Sequence, residues 1–241
     1  MKLESALSSP SPSKRMRHFF WVHPEWWSIA LSVMAWGIML LQGIPQAFMR
    51  HTHSHGVASF QLEFLNWSLM IVAMMVPIML EPLRWVAFRS FRQRRHQAIL
   101  SFLVGFLLPW LMVGIVSSWI LVFGRSHSPH LASALFALAA LWLLVPVRMR
   151  ALVYCHLTVP LAPLGWKADR DCLWYGIRIG VSCVATCYFL MLACAFTSHD
   201  PIAMLGGLTL GLIERRSFRP PTWRIFVGMI LLALWFLLPI I

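Results

Sequence analysis

Four sulfur-bearing side chains recur at helical spacing in one apolar stretch: Cys183, Cys187, Met191 and Cys194. At about 100° per residue in an α-helix, they point about 0°, 40°, 80° and 20° round the axis, so all four share one face. Thiolate and thioether ligands suit soft ions, above all Cu(I), with zinc as a second choice for the thiolates. The alternative is packing, in which Cys is a small hydrophobe and Met fills gaps.

Methionines are concentrated in a second apolar stretch. Met70 and Met74 share one helical face, as do Met75 and Met79. Both stretches place sulfur near the middle of an apolar run, so the two sets of sulfurs meet if their helices pack side by side. The sequence therefore predicts that Met70, Met74 and Met75 face the cysteine stripe across one metal site. It leaves open whether the two helices touch.

Three histidines alternate with other polar residues in a third segment, Arg50-His51-Thr52-His53-Ser54-His55. In an extended chain alternate residues face the same side, and in a helical turn His51 and His55 do. Two or three imidazoles can therefore converge, and imidazole suits copper, zinc or nickel. We predict that His51, His53 and His55 bind metal outside the membrane, with a solvated polar loop as the alternative.

The composition indicates that these residues are held by membrane helices. Hydrophobic residues make up 59% of the 241 residues and charged residues only 12%, against about a quarter charged in soluble domains. The net charge of +12 falls in short clusters between apolar runs. This pattern is typical of a polytopic protein in a lipid bilayer and argues against a nucleic-acid partner.

Seven apolar runs are candidates for membrane helices. A bilayer core about 30 Å thick needs about 20 helical residues. The run Leu131–Val147 is slightly short, and Pro201–Ile213 reaches only about 20 Å. The other five runs, which meet or approach this length, are Trp26–Ile44, Phe64–Leu80, Ala98–Phe123, Leu173–Phe196 and Trp223–Ile241.

The basic residues favour crossing by all seven runs. With the N-terminus inside, every Lys and Arg except Arg50 and Arg125 then lies on the inner side, as the positive-inside rule expects. We therefore predict an all-α, polytopic transmembrane helical bundle of about seven helices, with the N-terminus in and the C-terminus out. Residues 1–24, basic and rich in Ser and Pro, are predicted to form a cytoplasmic tail, and residues 25–241 a single transmembrane helical domain.

Two segments resemble a bacterial family of predicted metal-binding integral membrane proteins of unknown function. The segment from Trp67 to Pro77 resembles its W-x-x-M…A-M-M-x-P signature, and the segment from Cys183 to Met191 is similar to its C-x-G-x-C-W-x-L-M motif. Ala185 replaces the usual Gly and Tyr188 the usual Trp. The resemblance implies metal binding and a multi-pass location in a bacterial inner (plasma) membrane.

Together these features predict a membrane protein that handles copper rather than an enzyme. The chain has no P-loop or dinucleotide fingerprint, and the predicted spans carry no central histidine for haem or for a Ser–His protease. We expect copper to be bound, transferred or transported, with zinc as the second choice. An extracytoplasmic metallochaperone or subunits of a membrane complex are the expected partners. The open alternative is a non-catalytic accessory or assembly subunit of a larger membrane complex, in which the sulfurs only pack.

Overall fold

The computed structural model describes residues 22–48, 60–124, 131–162, 164–216 and 222–237. Most of the predicted tail, residues 1–21, lies outside these ranges, as do His51, His53 and His55. The described residues form helices joined by short turns, including a 3₁₀ turn at Arg92–Arg94, and no strand occurs among them. The α-helices are α1 (Trp26–Phe48), α2 (Phe60–Ile78), α3 (Leu80–Arg89), α4 (Arg95–Gly124), α5 (Leu131–Trp142), α6 (Pro146–His156), α7 (Gly165–Phe196), α8 (Pro201–Arg216) and α9 (Thr222–Leu237).

Three helical segments in the described ranges are long and apolar enough to cross a membrane: α2, α4 and α7. The bent pair α5 and α6 makes a fourth if the two are counted as one span. An apolar chain in lipid must satisfy its backbone hydrogen bonds internally, which a helix does. The all-helical prediction is confirmed, and the three to four long helices are compatible with a membrane protein. The seven-helix topology and its orientation stay predictions.

The α4–α7 pair is the most extensive helix contact in the fold. Glycines at the interface allow the two backbones to approach closely. A Cβ added to Gly176 would collide with the carbonyl oxygen of Phe102, and one added to Gly105 with the carbonyl oxygen of Leu173. The long α7 helix, which carries the cysteine stripe, is therefore fixed against α4 by direct backbone contact.

The fourth apolar run does not continue as a straight helix. It ends as α5 at Trp142 and turns by 77° into α6. Pro146 opens α6, where its missing N–H is no loss because the first turn has no partner for it. The sequence places Arg148 in an inner loop, but Arg148 is only 2% exposed. It is buried because it pairs with a carboxylate of α8.

The short helix α6 lies against α7 through a single face. Its buried residues are Arg148, Leu152 and Cys155, a spacing that places all three on one side of a helix. Helix α8 contacts both α2 and α7. The segments α2, α6, α7 and α8 therefore surround one region of the bundle, which contains the candidate site.

Candidate metal site

Sulfur atoms of α2 and α7 meet at one point. The Cys183 thiol donates a hydrogen bond to Met75 Sδ at 3.6 Å, and the two residues are 2% and 1% exposed. A tetrahedral metal with bonds of about 2.3 Å to two sulfurs would hold them about 3.8 Å apart. The thiol and the thioether are therefore already close to the separation that one shared metal ion requires.

Cys187 adds a second thiol one helical turn farther along α7. It is half-buried and lines the same cavity as Cys183. Its Sγ atom lies 3.4 Å from Thr186 Oγ1. The Thr186 hydroxyl also lies 3.0 Å from the Cys183 carbonyl oxygen, a local bond that Thr often makes inside helices. The thiols of Cys183 and Cys187 therefore lie on the same side of α7, one turn apart.

A small cavity adjoins these thiols. Its volume is about 20 Å³, which is room for a single water-sized species. Its apolar wall comes from side chains such as Ile78 and Leu152. The sulfur and polar residues that line it are Met79, Cys155, Cys183, Thr186, Cys187, Glu214 and Arg215.

A buried ion pair fastens three helices beside this cavity. Arg148 Nη2 of α6 lies 2.6 Å from Glu214 Oε2 of α8, and Arg148 Nε donates to the Thr186 carbonyl oxygen of α7 at 3.1 Å. Removing two charges from water costs several kcal/mol per ion, and their mutual attraction offsets this cost when the geometry is good. Among the described residues, Glu214 Oε1, Arg148 Nη1 and Arg215 Nε are buried without a hydrogen-bond partner. Two of these unsatisfied atoms, on Glu214 and Arg215, belong to residues that line the cavity.

Met74 of α2 and Cys194 of α7 form a second group of sulfur residues. A Cβ added to Gly207 would stand 3.1 Å from Met74 Cε and 3.3 Å from Cys194 Sγ, so both side chains pack over this glycine of α8. The Cys194 thiol donates to the Ala203 carbonyl oxygen at 3.6 Å. Neither Met74 nor Cys194 lines the cavity. The predicted sulfur set is therefore divided into two groups.

The other predicted ligands are not part of the cavity. Met70 and Met191 are fully buried core residues and do not line it. Met75 does not line it either and reaches the site through its contact with Cys183. Within the described part of the chain, no three His, Cys, Asp or Glu side chains are placed to bind one metal ion together. A site built from these residues therefore needs the Met75 thioether as well as thiols.

Sequence analysis assigned no role to Arg148 or Cys155. Both follow Pro146 in a segment with several basic residues, which resembles an ordinary inner loop. The signal that identifies them is the spacing of Arg148, Leu152 and Cys155 after a helix-starting proline. That spacing predicts a short helix with one buried face.

Comparison with known families links the chain to copper. A family model described as PpoB2, copper chaperone, matches residues 64–238 of the 241 residues. The chain belongs to the PpoB2 family of copper chaperones. No curated protein and no solved structure matches the chain. The PpoB2 match includes both sulfur groups and the cavity.

Membership of the PpoB2 family supports the copper-related part of the sequence prediction. It agrees with the donor atoms, because thiols and thioethers are ligands that Cu(I) prefers. The integral-membrane family named from the W-x-x-M and C-x-G-x-C motifs is a narrower statement, and that correspondence stays a prediction.

Proposed function

We propose that this PpoB2-family chain is an integral membrane copper chaperone that holds Cu(I) between Met75 of α2 and Cys183 of α7, with Cys187 as a further thiol ligand. The observation that carries the proposal is the 3.6 Å contact between the Met75 and Cys183 sulfur atoms. These two soft donors come from separate helices. Family membership supports copper as the ion.

Sulfur ligands suit an ion held among apolar helices. An ionised group at the centre of a bilayer costs about 2.5–3.5 kcal/mol or more, whereas a protonated Cys183 and Met75 are both neutral. When Cu⁺ replaces the thiol proton, one thiolate and one monovalent cation form a neutral complex, and the thioether adds no charge. With Cys183 as the single thiolate and Cys187 protonated, Zn²⁺ in the same place would leave a net positive charge, so the site favours Cu(I) over zinc.

The wider proposal follows the predicted seven-helix topology. The ion is collected on the outer face by His51, His53 and His55. These three histidines are not among the residues that the structure describes. The ion then passes the second sulfur group, Met74 and Cys194. The buried Met70 and Met191 lie near these two residues in the sequence. An extracytoplasmic metallochaperone or a subunit of a membrane complex is the partner that exchanges the ion with this chain. In this proposal the chain binds and transfers copper and catalyses no reaction.

Copper binding by purified variants tests the proposal. The protein is loaded with Cu(I) under reducing conditions, and the bound metal is measured by elemental analysis and by competition with a Cu(I) chelator. Cys183→Ser should weaken binding by at least about 100-fold, more than the loss of a group that only supports a ligand. Cys172→Ser is the matched control, because Cys172 is another buried cysteine of α7 that does not line the cavity.

Two results would contradict the proposal. Equal affinities of the wild type, Cys183→Ser and Cys172→Ser would show that Cys183 is not a ligand. A wild-type protein that binds no Cu(I) and copurifies with other membrane subunits would favour the accessory or assembly role instead.

A further inference from the structure

We infer that Cys155 of α6 takes Cu(I) from the Met75–Cys183 pair, and that the small cavity is where the ion changes ligands. This inference rests on the proposed function and adds the route by which the ion leaves its site. It assigns a role to a residue outside the predicted ligand set.

The position of Cys155 joins the buried site to the surface. Its side chain is 2% exposed and lines the same cavity as Cys183 and Cys187. The next residue, His156, is exposed and ends α6. An ion on Cys155 is therefore one residue away from a surface imidazole, a ligand that copper accepts.

The geometry favours successive binding by these thiols. In the residues that the structure describes, no three His, Cys, Asp or Glu side chains are arranged round one ion position. The cavity of about 20 Å³ also has room for one ion only. Cys155 is therefore placed to replace the first ligands and not to complete their coordination sphere.

Arg215 gives the Cys155 end of the cavity a positive charge. The guanidinium is 7% exposed, lines the cavity and lies within hydrogen-bonding reach of the Cys155 thiol. Its Nε atom is buried without a partner among the described residues. A cation beside a thiol offsets part of the cost of forming a buried thiolate, which is the form that binds metal.

The transfer is an exchange of ligands without a change of oxidation state. The Cys155 thiol loses its proton, and its sulfur forms a bond to Cu(I) while the bond to Met75 Sδ breaks. The bond to Cys183 then breaks, and Cys183 takes up one proton; the weaker bond to the Cys187 thiol, which keeps its own proton throughout, breaks last. One proton is released and one is bound, and copper stays Cu(I) throughout.

Release kinetics test this role. Full-length protein loaded with one Cu(I) is mixed with a water-soluble colorimetric Cu(I) chelator, and the rate of transfer is followed by absorbance. Cys155→Ser and Cys155→Ala should keep the equilibrium affinity within about threefold of the wild type. Both should slow release by at least about tenfold, the lower end of what the loss of a supporting group at a metal site causes. Cys172→Ser should change neither quantity.

The outcomes separate this inference from the proposed function. Wild-type release rates in both Cys155 variants would overturn it, and so would a loss of affinity as large as that of Cys183→Ser, because Cys155 would then be a resident ligand. If either variant fails to fold, as judged by thermal unfolding, the other decides. A wild-type protein that binds no Cu(I) would instead refute the proposed function.

Discussion

Cys183 and Met75 show what sequence can predict about this site at the scale of single residues. The angle of about 100° per residue predicts which sulfurs share a face on each helix. It cannot predict which helix is the neighbour, because Cys183 and Met75 are 108 residues apart in the chain. The structure brings the Met75 sulfur to Cys183. Met74, about 100° farther round α2, packs over Gly207 with Cys194.

Glu25 gives the fold a dependence on pH. Its Oε1 atom lies 2.5 Å from Arg84 Nε and 3.3 Å from His23 Nδ1. Burial alone would raise the pKa of Glu25, but the hydrogen bonds, chiefly that from Arg84, outweigh it and lower the pKa below its ordinary value of 4.5. A carboxyl with a lowered folded-state pKa stabilises the fold above its unfolded-state pKa, and this stability is lost as pH falls through the folded-state value.

Thermal unfolding in detergent at several pH values tests the contribution of the Glu25 carboxylate to stability. Glu25→Gln should be less stable than the wild type at pH 7. The difference should shrink as the pH falls from the ordinary value of 4.5 through the lower folded-state pKa, where the folded wild-type carboxyl takes up its proton. A difference that is constant from pH 7 to the lowest pH measured would rule out a contribution from the Glu25 charge.

At the scale of helices, long apolar runs were predictable and their polar extensions were not. The runs that became α2, α4 and α7 are apparent from hydropathy. Helix α7 begins at Gly165 and not at Leu173, and Arg94 Nη2 lies 2.6 Å from Asp169 Oδ2 in this added part. Helix α6 was missed because its 11 residues are too short for a window of about 20 residues. Its buried arginine also resembles a loop cation.

The ion pair between α6 and α8 should dominate the local stability. Arg148→Met leaves Glu214 as an unpaired buried charge and is expected to destabilise the protein by about 3–5 kcal/mol. The double variant Arg148→Met with Glu214→Leu should recover most of this loss, because apolar side chains can replace a buried pair at little cost. Chemical denaturation in detergent measures both.

A partly exposed pair provides the control for that measurement. Arg94 and Asp169 are 23% and 25% exposed, so Arg94→Met should cost no more than about 1 kcal/mol. If the Arg148 variant is as mild as the Arg94 variant, or if the double variant is worse than Arg148→Met alone, the buried pair does not hold α6 in place.

At the scale of the whole molecule, the distribution of charge predicts a topology that the long helices alone do not define. Three to four helical segments are long and apolar enough to cross. Seven crossings also require α1, α8 and α9. Helix α8 has 16 residues, or about 24 Å, against a bilayer core of about 30 Å. The positive-inside rule favours its crossing, because Arg215 and Arg216 would otherwise lie outside.

Reporter fusions at the C-terminus test this topology. Seven crossings from an inner N-terminus place residue 241 outside, so a C-terminal alkaline phosphatase should be active and a C-terminal green fluorescent protein should be dark. The opposite pair of results would mean that one run, with α8 as the first candidate, does not cross. The Met75–Cys183 contact would be unaffected by that correction, because it does not depend on α8.

X-ray absorption at the copper edge of the Cu(I)-loaded protein is the most direct test of the shared sulfur site. We predict a shell of sulfur ligands at about 2.3 Å, which loses one sulfur in Met75→Leu and is unchanged in Met74→Leu. The substitution of Met by Leu conserves volume and should cost less than about 1.5 kcal/mol in stability. A shell of nitrogen or oxygen ligands, or a sulfur shell that is identical in both variants, would contradict a copper site shared between α2 and α7.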